Sequence, residues 1–411
     1  MSSIAILTPS FSSLDPAYSL THVISDQALC LARAGHNVVV FVSEGFEGGT
    51  SLVVEGETIY FRSVLPPLSL LRPEIRAQAK HVLRTELSSF DAVFTHDWIS
   101  HARMLPLYEG LLSYVSQTPD TDLPWYHWVH SAPIGMVHKR DVSRLPANHK
   151  IVYPLSCDVP LVAQQFNVAQ SRIVTIPHIV DEDTLISYPD ELPMIYRHIL
   201  NLTGISDIIQ IYPASADRLL WKGVDKLVKL FGALKAEGHT VCCVILDSWT
   251  GRLPRENLSL YRTLMRQAGL TDQEFVFATQ LDPEFRCLPR GEVYRLMLAS
   301  NICAFPSMGE AFGLVLPEAI LAGNLPVYNA SLPGARGVYQ TRNIGIGAEF
   351  GSCQEPKSHL PPRFFSDLAQ KIGDGLQKRL AIEAKEGIRG AFNMTSIYQQ
   401  HYGPLLARIN Q

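Results

Sequence analysis

Short apolar runs alternate with helix-length amphipathic stretches along this chain, and the alternation starts twice. Ile4 to Leu7, a helix from about Thr21 to Ala34 ended by Gly35, and Val38 to Val42 form an opening strand–helix–strand unit. Further strands are expected at Ala92 to Phe94, Trp125 to Val129, Ile151 to Tyr153 and Ile173 to Ile176. The series then restarts at Ile208 to Tyr212, followed by a helix at Lys222 to Glu237 closed by Gly238. Strands at Val241 to Leu246, Phe275 to Phe277, Ile302 to Phe305 and Pro326 to Tyr328 complete it, with a helix around Leu258 to Ala268. Continuously apolar strands separated by helices are buried on both faces, which calls for parallel sheets covered by helices. The expected fold class is therefore α/β, with two Rossmann-like doubly wound domains facing across a cleft. Their expected extents are residues 1–183 and 184–390. Residues 391–411 carry a helix, near Ser396 to Ile409, expected to return to the first domain. Residues 181–206 read as the linker region.

The composition fits this picture. With 411 residues, 46% hydrophobic and 18% charged, the chain can fill two cores and is not a disordered polymer. Its 35 basic residues against 39 acidic ones give a net charge of −4, which argues against a broad basic surface for nucleic acid. Cysteines stand at 30, 157, 242, 243, 287, 303 and 353 with no C-x-x-C, so neither metal-ligand spacing nor a disulfide framework is expected. No apolar run reaches about 18 residues, and the first 14 lack a basic segment before an apolar core. A cytoplasmic protein is the expectation.

The richest stretch is Asn301 to Val327, NICAFPSMGEAFGLVLPEAILAGNLPV. A strand ends at Pro306-Ser307, a short loop carries Glu310, and Phe312-Gly313-Leu314 leads into a helix containing Glu318. A carboxylate such as Glu310 can accept two directional hydrogen bonds from hydroxyl groups. Backbone amides at a helix start, at Phe312, Gly313 and Leu314, suit an anionic phosphate, and Gly313 lets the chain approach it closely. Earlier, Ala216-Asp217-Arg218-Leu219-Leu220-Trp221-Lys222-Gly223 follows a strand and opens a helix. Two cations there, Arg218 and Lys222, could clamp a pyrophosphate and neutralise a leaving group.

Together these segments resemble the retaining glycosyltransferases of family 4, which have the GT-B fold. The resemblance implies that Glu310 contacts the donor sugar, Glu318 the nucleotide ribose, and Arg218 with Lys222 the donor diphosphate. It further implies that His130, in His127-Trp128-Val129-His130-Ser131, lies beside the donor sugar, with Lys139 as a weaker candidate. His96, Asp97 and Trp98 resemble a segment on the acceptor side of relatives. Arg172 to Pro177 and Val180-Asp181 echo a segment before the inter-domain linker, although His178-Ile179 stand where Asn-Gly is usual. The expected reaction moves a sugar from a nucleotide-diphosphate donor, a UDP-sugar favoured, without a metal or other cofactor.

One feature points outward. Arg72, Arg76, Lys80 and Arg84 recur every four residues and share one helix face, suited to an anionic membrane surface or DNA, or simply to solvent. Arg76 and Lys80 are the acceptor-side candidates on it. Two other enzyme readings compete: Asp181-Glu182-Asp183 spells a metal-binding D-x-D, although a helix start explains it more simply, and a GT-B-like epimerase shares the expected architecture. A nucleotide-sugar-binding subunit without catalysis is the third alternative.

Overall fold

A computed structural model describes residues 1–9, 19–54, 56–118, 122–132, 142–186, 194–204, 206–247, 255–283, 285–357 and 359–408. Lys139 and much of the Thr8 to Pro16 loop lie outside these described residues. The chain divides into two compact units, Met1–Ile179 with Phe392–Gln411, and Val180–Ala391.

The first unit is built in chain order from β1 (Ser3–Leu7), α1 (Ser19–Arg33), β2 (Asn37–Ser43), β3 (Ser51–Val54), β4 (Glu57–Leu65) and α2 (Arg72–Glu86). It continues with β5 (Ala92–His96), α3 (Leu105–Val115), β6 (Trp125–Trp128), β7 (His149–Tyr153), α4 (Val159–Phe166) and β8 (Ile173–Thr175). The strands form one sheet in the order β3-β4-β2-β1-β5-β6-β7-β8. Among the described residues only the β3–β4 pair is antiparallel, and that hairpin is not expected from the apolar pattern. β3 is almost wholly exposed and its partner β4 is buried at only a few positions, so the hairpin lacks the long buried apolar run that marks the central strands. The central strands are apolar along their length, with Ile4, Ala5, Ile6 and Leu7 all fully buried, as helices on both faces require.

The second unit follows with α5 (Glu182–Leu185), α6 (Met194–Thr203), β9 (Ile208–Pro213), α7 (Val224–Ala236), β10 (Val241–Leu246) and α8 (Arg255–Gln267). Then come β11 (Phe275–Phe277), α9 (Ala278–Leu281), α10 (Arg290–Met297), β12 (Ile302–Phe305), α11 (Val315–Leu321) and β13 (Leu325–Asn329). It closes with α12 (Pro333–Tyr339), β14 (Ile346–Ala348), α13 (Pro362–Gln377) and α14 (Leu380–Phe392). Two three-stranded parallel sheets, β11-β10-β9 and β12-β13-β14, are joined edge to edge by side chains. The buried Gln210 amide donates to the Ala304 carbonyl and accepts the Ala304 N–H, both at 2.9 Å, in the manner of a backbone strand. Asn301 closes the other end of the seam, accepting from Ile209 N at 2.9 Å and donating its own N–H to the Ile209 carbonyl at 3.1 Å. The combined order β11-β10-β9-β12-β13-β14 is the doubly wound one, whose direction reverses between β9 and β12.

Two expectations are corrected here. The stretch 181–206 is not plain linker, because α5 and α6 lie in it and belong to the second unit. Asp181 caps α5 by accepting the Asp183 N–H at 3.2 Å, and Glu182 pairs with Lys385 at 2.8 Å and with Arg389. A helix start thus explains the acidic triplet. The C-terminal helix is also less regular than expected: α-helical turns at Met394–Ile397 and Gly403–Ala407 flank a wider π turn at Tyr398–Tyr402. This segment packs on the first unit, with Tyr398 Oη 2.8 Å from His36 Nε2 and the Tyr402 ring edge-on to Phe94.

Candidate active site

In a doubly wound sheet ligands bind outside the carboxyl ends of the strands where the order reverses. In the second unit that point lies between β9 and β12. The loop after β9 carries Arg218 and Lys222, and the loop after β12 carries Glu310. The Lys222 ammonium meets the Glu310 carboxylate at 2.5 Å, although the two are 88 positions apart. Both side chains are about four-fifths buried, so each charge is stabilised mainly by the other.

Several contacts hold this pair in place. Ser307, fully buried, donates to the same Glu310 oxygen at 2.7 Å. The Tyr212 hydroxyl donates to the Lys222 carbonyl at 3.1 Å, and burial pushes its phenol well above its ordinary pKa. Trp221 donates its indole N–H to Gly309 O at 3.1 Å, while Met308 N donates to Trp221 O at 2.9 Å, so the two loops are stitched together. Gly223 begins α7 at φ +72, and a Cβ there would stand 2.6 Å from the Pro306 carbonyl oxygen. Only glycine permits this approach of the β9 loop to the β12 loop.

Arg218 does not share that enclosure. Its side chain is 61% exposed and lies 3.8 Å from Asp217. Phe312 is buried, Gly313 takes φ +75 against the Phe305 ring, and Leu314 caps α11. Glu318, in α11, is 2.8 Å from Arg290 Nε of α10, and both side chains are about nine-tenths buried. After β10, the buried Asp247 accepts the Thr279 N–H at 3.0 Å and tethers the start of α9.

The first unit reverses its strand order between β1 and β5, and a chain of side chains sits at the ends of β5 and β6. His96 is fully buried, with Nε2 2.9 Å from Gln27 Oε1 and Nδ1 2.9 Å from His130 Nε2. Burial, reinforced by the neighbouring histidines, holds the His96 imidazole well below its ordinary pKa, and desolvation lowers His130 against the opposing pull of Asp97. Near neutral pH both rings are therefore neutral, each with one N–H. The Gln27 oxygen accepts, so His96 donates from Nε2 and accepts at Nδ1, where His130 donates. His130 is left with a lone pair on Nδ1. Asp97 takes a left-handed φ of 59 and accepts from His130 N at 3.1 Å and Ser100 Oγ at 2.6 Å, joining the two loops. Trp98 is fully buried. His178, at the position that departs from the usual Asn-Gly, stacks on Trp128 and on His130, with centroids 5.2 and 5.3 Å apart.

A second pair, His127 and His149, lies deeper. His127 accepts or donates at Thr95 Oγ1, 2.8 Å away, and its Nε2 is 3.0 Å from His149 Nδ1. On α2, Arg76 and Arg84 are exposed and Lys80 half-buried, whereas Arg72 is engaged with Glu109 of α3. The four-cation face of the sequence thus presents three.

Residues 210–355 match the family described as Glycosyl transferases group 1. No curated protein sequence matches the chain. Among solved structures it is similar to sucrose-phosphate synthase from Thermosynechococcus elongatus, with a TM-score of 0.65 at 18% identity over 100% of this chain and 99% of that one. A glycosyltransferase from Rickettsia africae gives 0.66 at 15% identity, over 100% and 99% of the two chains. The catalytic domain of starch synthase IV from Arabidopsis thaliana, bound to ADP and acarbose, gives 0.64 at 13% identity over 100% of both. The chain has the GT-B fold, and residues 210–355 of it match a glycosyltransferase family. The matched residues span β9 to β14, the part that carries Arg218, Lys222, Glu310 and Glu318. Sequence reasoning did not single out Gln27, Arg290, Ser307 or Asn329. Asn329 bridges the Ser307 and Gly351 carbonyls at 2.9 and 2.7 Å, which ties down the start of the β12 loop. Nothing in the local pattern marks Gln27, Arg290 or Asn329, because the groups they bind, on His96, Glu318, Ser307 and Gly351, come from other elements.

Proposed function

We propose that this chain is a glycosyltransferase that retains anomeric configuration and draws on a nucleotide-diphosphate sugar, a UDP-sugar being favoured. The observation that carries the reading is the Lys222–Glu310 pair at the point of strand reversal. It sets a cation for a diphosphate beside a carboxylate for sugar hydroxyls. Arg218, exposed and free to swing on a long side chain, would join Lys222 on the diphosphate, and their charge would take the place of a metal. Amides of Phe312, Gly313 and Leu314 would face phosphate, and Glu318 the ribose. His130 is assigned to the sugar step and Asp97 to its support.

In the proposed step, the bond from the anomeric carbon to the diphosphate oxygen breaks as the acceptor oxygen bonds to the same carbon on the same face. The acceptor proton passes to a phosphate oxygen. Charge building on the departing diphosphate is what Lys222 and Arg218 stabilise, so their effect is greatest in the transition state. The acceptor is a glycan, lipid, small molecule or modified DNA base. The cations Arg76, Lys80 and Arg84 are proposed to meet an anionic membrane surface or DNA. Reversing Arg76 and Lys80 to Glu tests this: retained binding to both anionic vesicles and duplex DNA returns the helix to a solvated face.

The central test is calorimetry of UDP, GDP and ADP, with magnesium and with chelator, on the wild type and Lys222→Ala. Tight binding of one nucleotide, unaffected by chelator and lost in the variant, is expected. Binding that needs magnesium would overturn the metal-free clamp, and no binding of any nucleotide would overturn the donor class.

A further inference from the structure

Glu318 is a buried carboxylate, and an isolated charge at that depth costs several kcal/mol unless a partner compensates it. Arg290, the first residue of α10, approaches it through Nε at 2.8 Å from Oε1. Both side chains are about nine-tenths buried, so solvent screens the pair little. The guanidinium is planar and presents its donors in a fixed fork, which restricts the rotamer of the carboxylate it meets. A carboxylate has two oxygens with about four acceptor positions, so several donors can share it.

We infer that Arg290 is a positioning residue for the donor ribose: it holds the Glu318 carboxylate in one orientation, ready to accept ribose hydroxyl hydrogen bonds. The inference rests on the assignment of Glu318 to the ribose. It makes Arg290 act on discrimination between nucleotides with and without ribose hydroxyls, and leaves recognition of base and diphosphate to other residues. A bridge serving only to fasten α10 to α11 would weaken all nucleotides alike when removed.

The test is calorimetric titration of full-length wild type, Arg290→Lys and Arg290→Met with UDP and with 2′,3′-dideoxy-UDP, using the GDP or ADP pair if that nucleotide binds instead. The wild type is expected to prefer the ribonucleotide by about tenfold or more, as a hydrogen bond to a charged group should. That ratio should shrink in Arg290→Lys and approach one in Arg290→Met, while the dideoxy nucleotide keeps most of its affinity. Variants that keep the wild-type ratio would overturn the role of Arg290 and leave Glu318 standing. A wild type indifferent to the ribose hydroxyls, or one that binds no nucleotide, would overturn the assignment of Glu318 and the inference with it. Should Arg290→Met fail to fold, the ratio in Arg290→Lys decides.

Discussion

The Lys222 ammonium and the Glu310 carboxylate are joined at 2.5 Å, with Ser307 on the same carboxylate oxygen. In this arrangement the cation proposed for the diphosphate and the anion proposed for the sugar neutralise each other. A donor must therefore exchange one partner for another at both ends. Lys222→Ala should lower transfer roughly 100- to 1,000-fold, because it removes charge stabilisation of the leaving group and strands Glu310 as well. Glu310→Gln, which keeps a hydrogen-bonding group, should weaken a nucleotide sugar more than the bare nucleotide. Equal losses for the two ligands would show that Glu310 does not meet the sugar.

The Gln27–His96–His130 chain fixes a tautomer. Nitrogen-15 NMR of histidine-labelled protein should find His130 protonated on Nε2 and bare on Nδ1. In Gln27→Leu the acceptor is gone, so both tautomers should coexist, with roughly a fivefold loss in turnover for about 1 kcal/mol. Finding Nδ1 protonated in the wild type would reverse the chain.

Acid should destabilise the first unit through His127 and His149. In an unfolded chain both imidazoles take up protons as pH falls through about 6.5. Folded, burial holds them neutral down to about 3 for His127 and about 2 for His149. Between those limits the unfolded state binds more protons, so stability is full above about pH 6.5 and is lost as pH falls. The slope should approach about 1.4 kcal/mol per pH unit for each histidine. Denaturant unfolding at pH 7, 6 and 5 should show a shallower slope in a His127→Gln, His149→Gln variant.

Gly223→Ala should be costly out of proportion to its one added carbon. The left-handed backbone alone costs roughly 1–2 kcal/mol for a residue with a Cβ. The new atom also meets the Pro306 carbonyl at 2.6 Å, so the β9 and β12 loops must part. Thermal unfolding should move down, and nucleotide binding should fall with it. A variant with unchanged affinity would show that the loops can separate without harm to the site.

Much of the architecture was legible in local pattern. Val241 to Leu246 is apolar at every position and fully or nearly fully buried, which only a strand covered on both faces can satisfy. Gly238 and Gly35 end their helices at positive φ, as glycines after a helix do. The β3–β4 hairpin, α6 and the π turn at Tyr398–Tyr402 are short and sit at the edges of the α/β alternation, so their local patterns do not separate them from loop.

What the sequence determined by itself was therefore the alternation of buried strands with helices and the chemical type of each loop: cations after β9, carboxylates after β12, a histidine after β6. Periodicity and loop chemistry are local properties, and neighbours within a few residues suffice to set them. Tertiary structure alone decided which loops meet. Gln210 and Asn301 fasten β9 to β12, and this places Lys222 against Glu310 and aligns the two loop ends. The same holds for Gln27 on His96 and Arg290 on Glu318, where a buried polar group is stable only beside a partner supplied by another element.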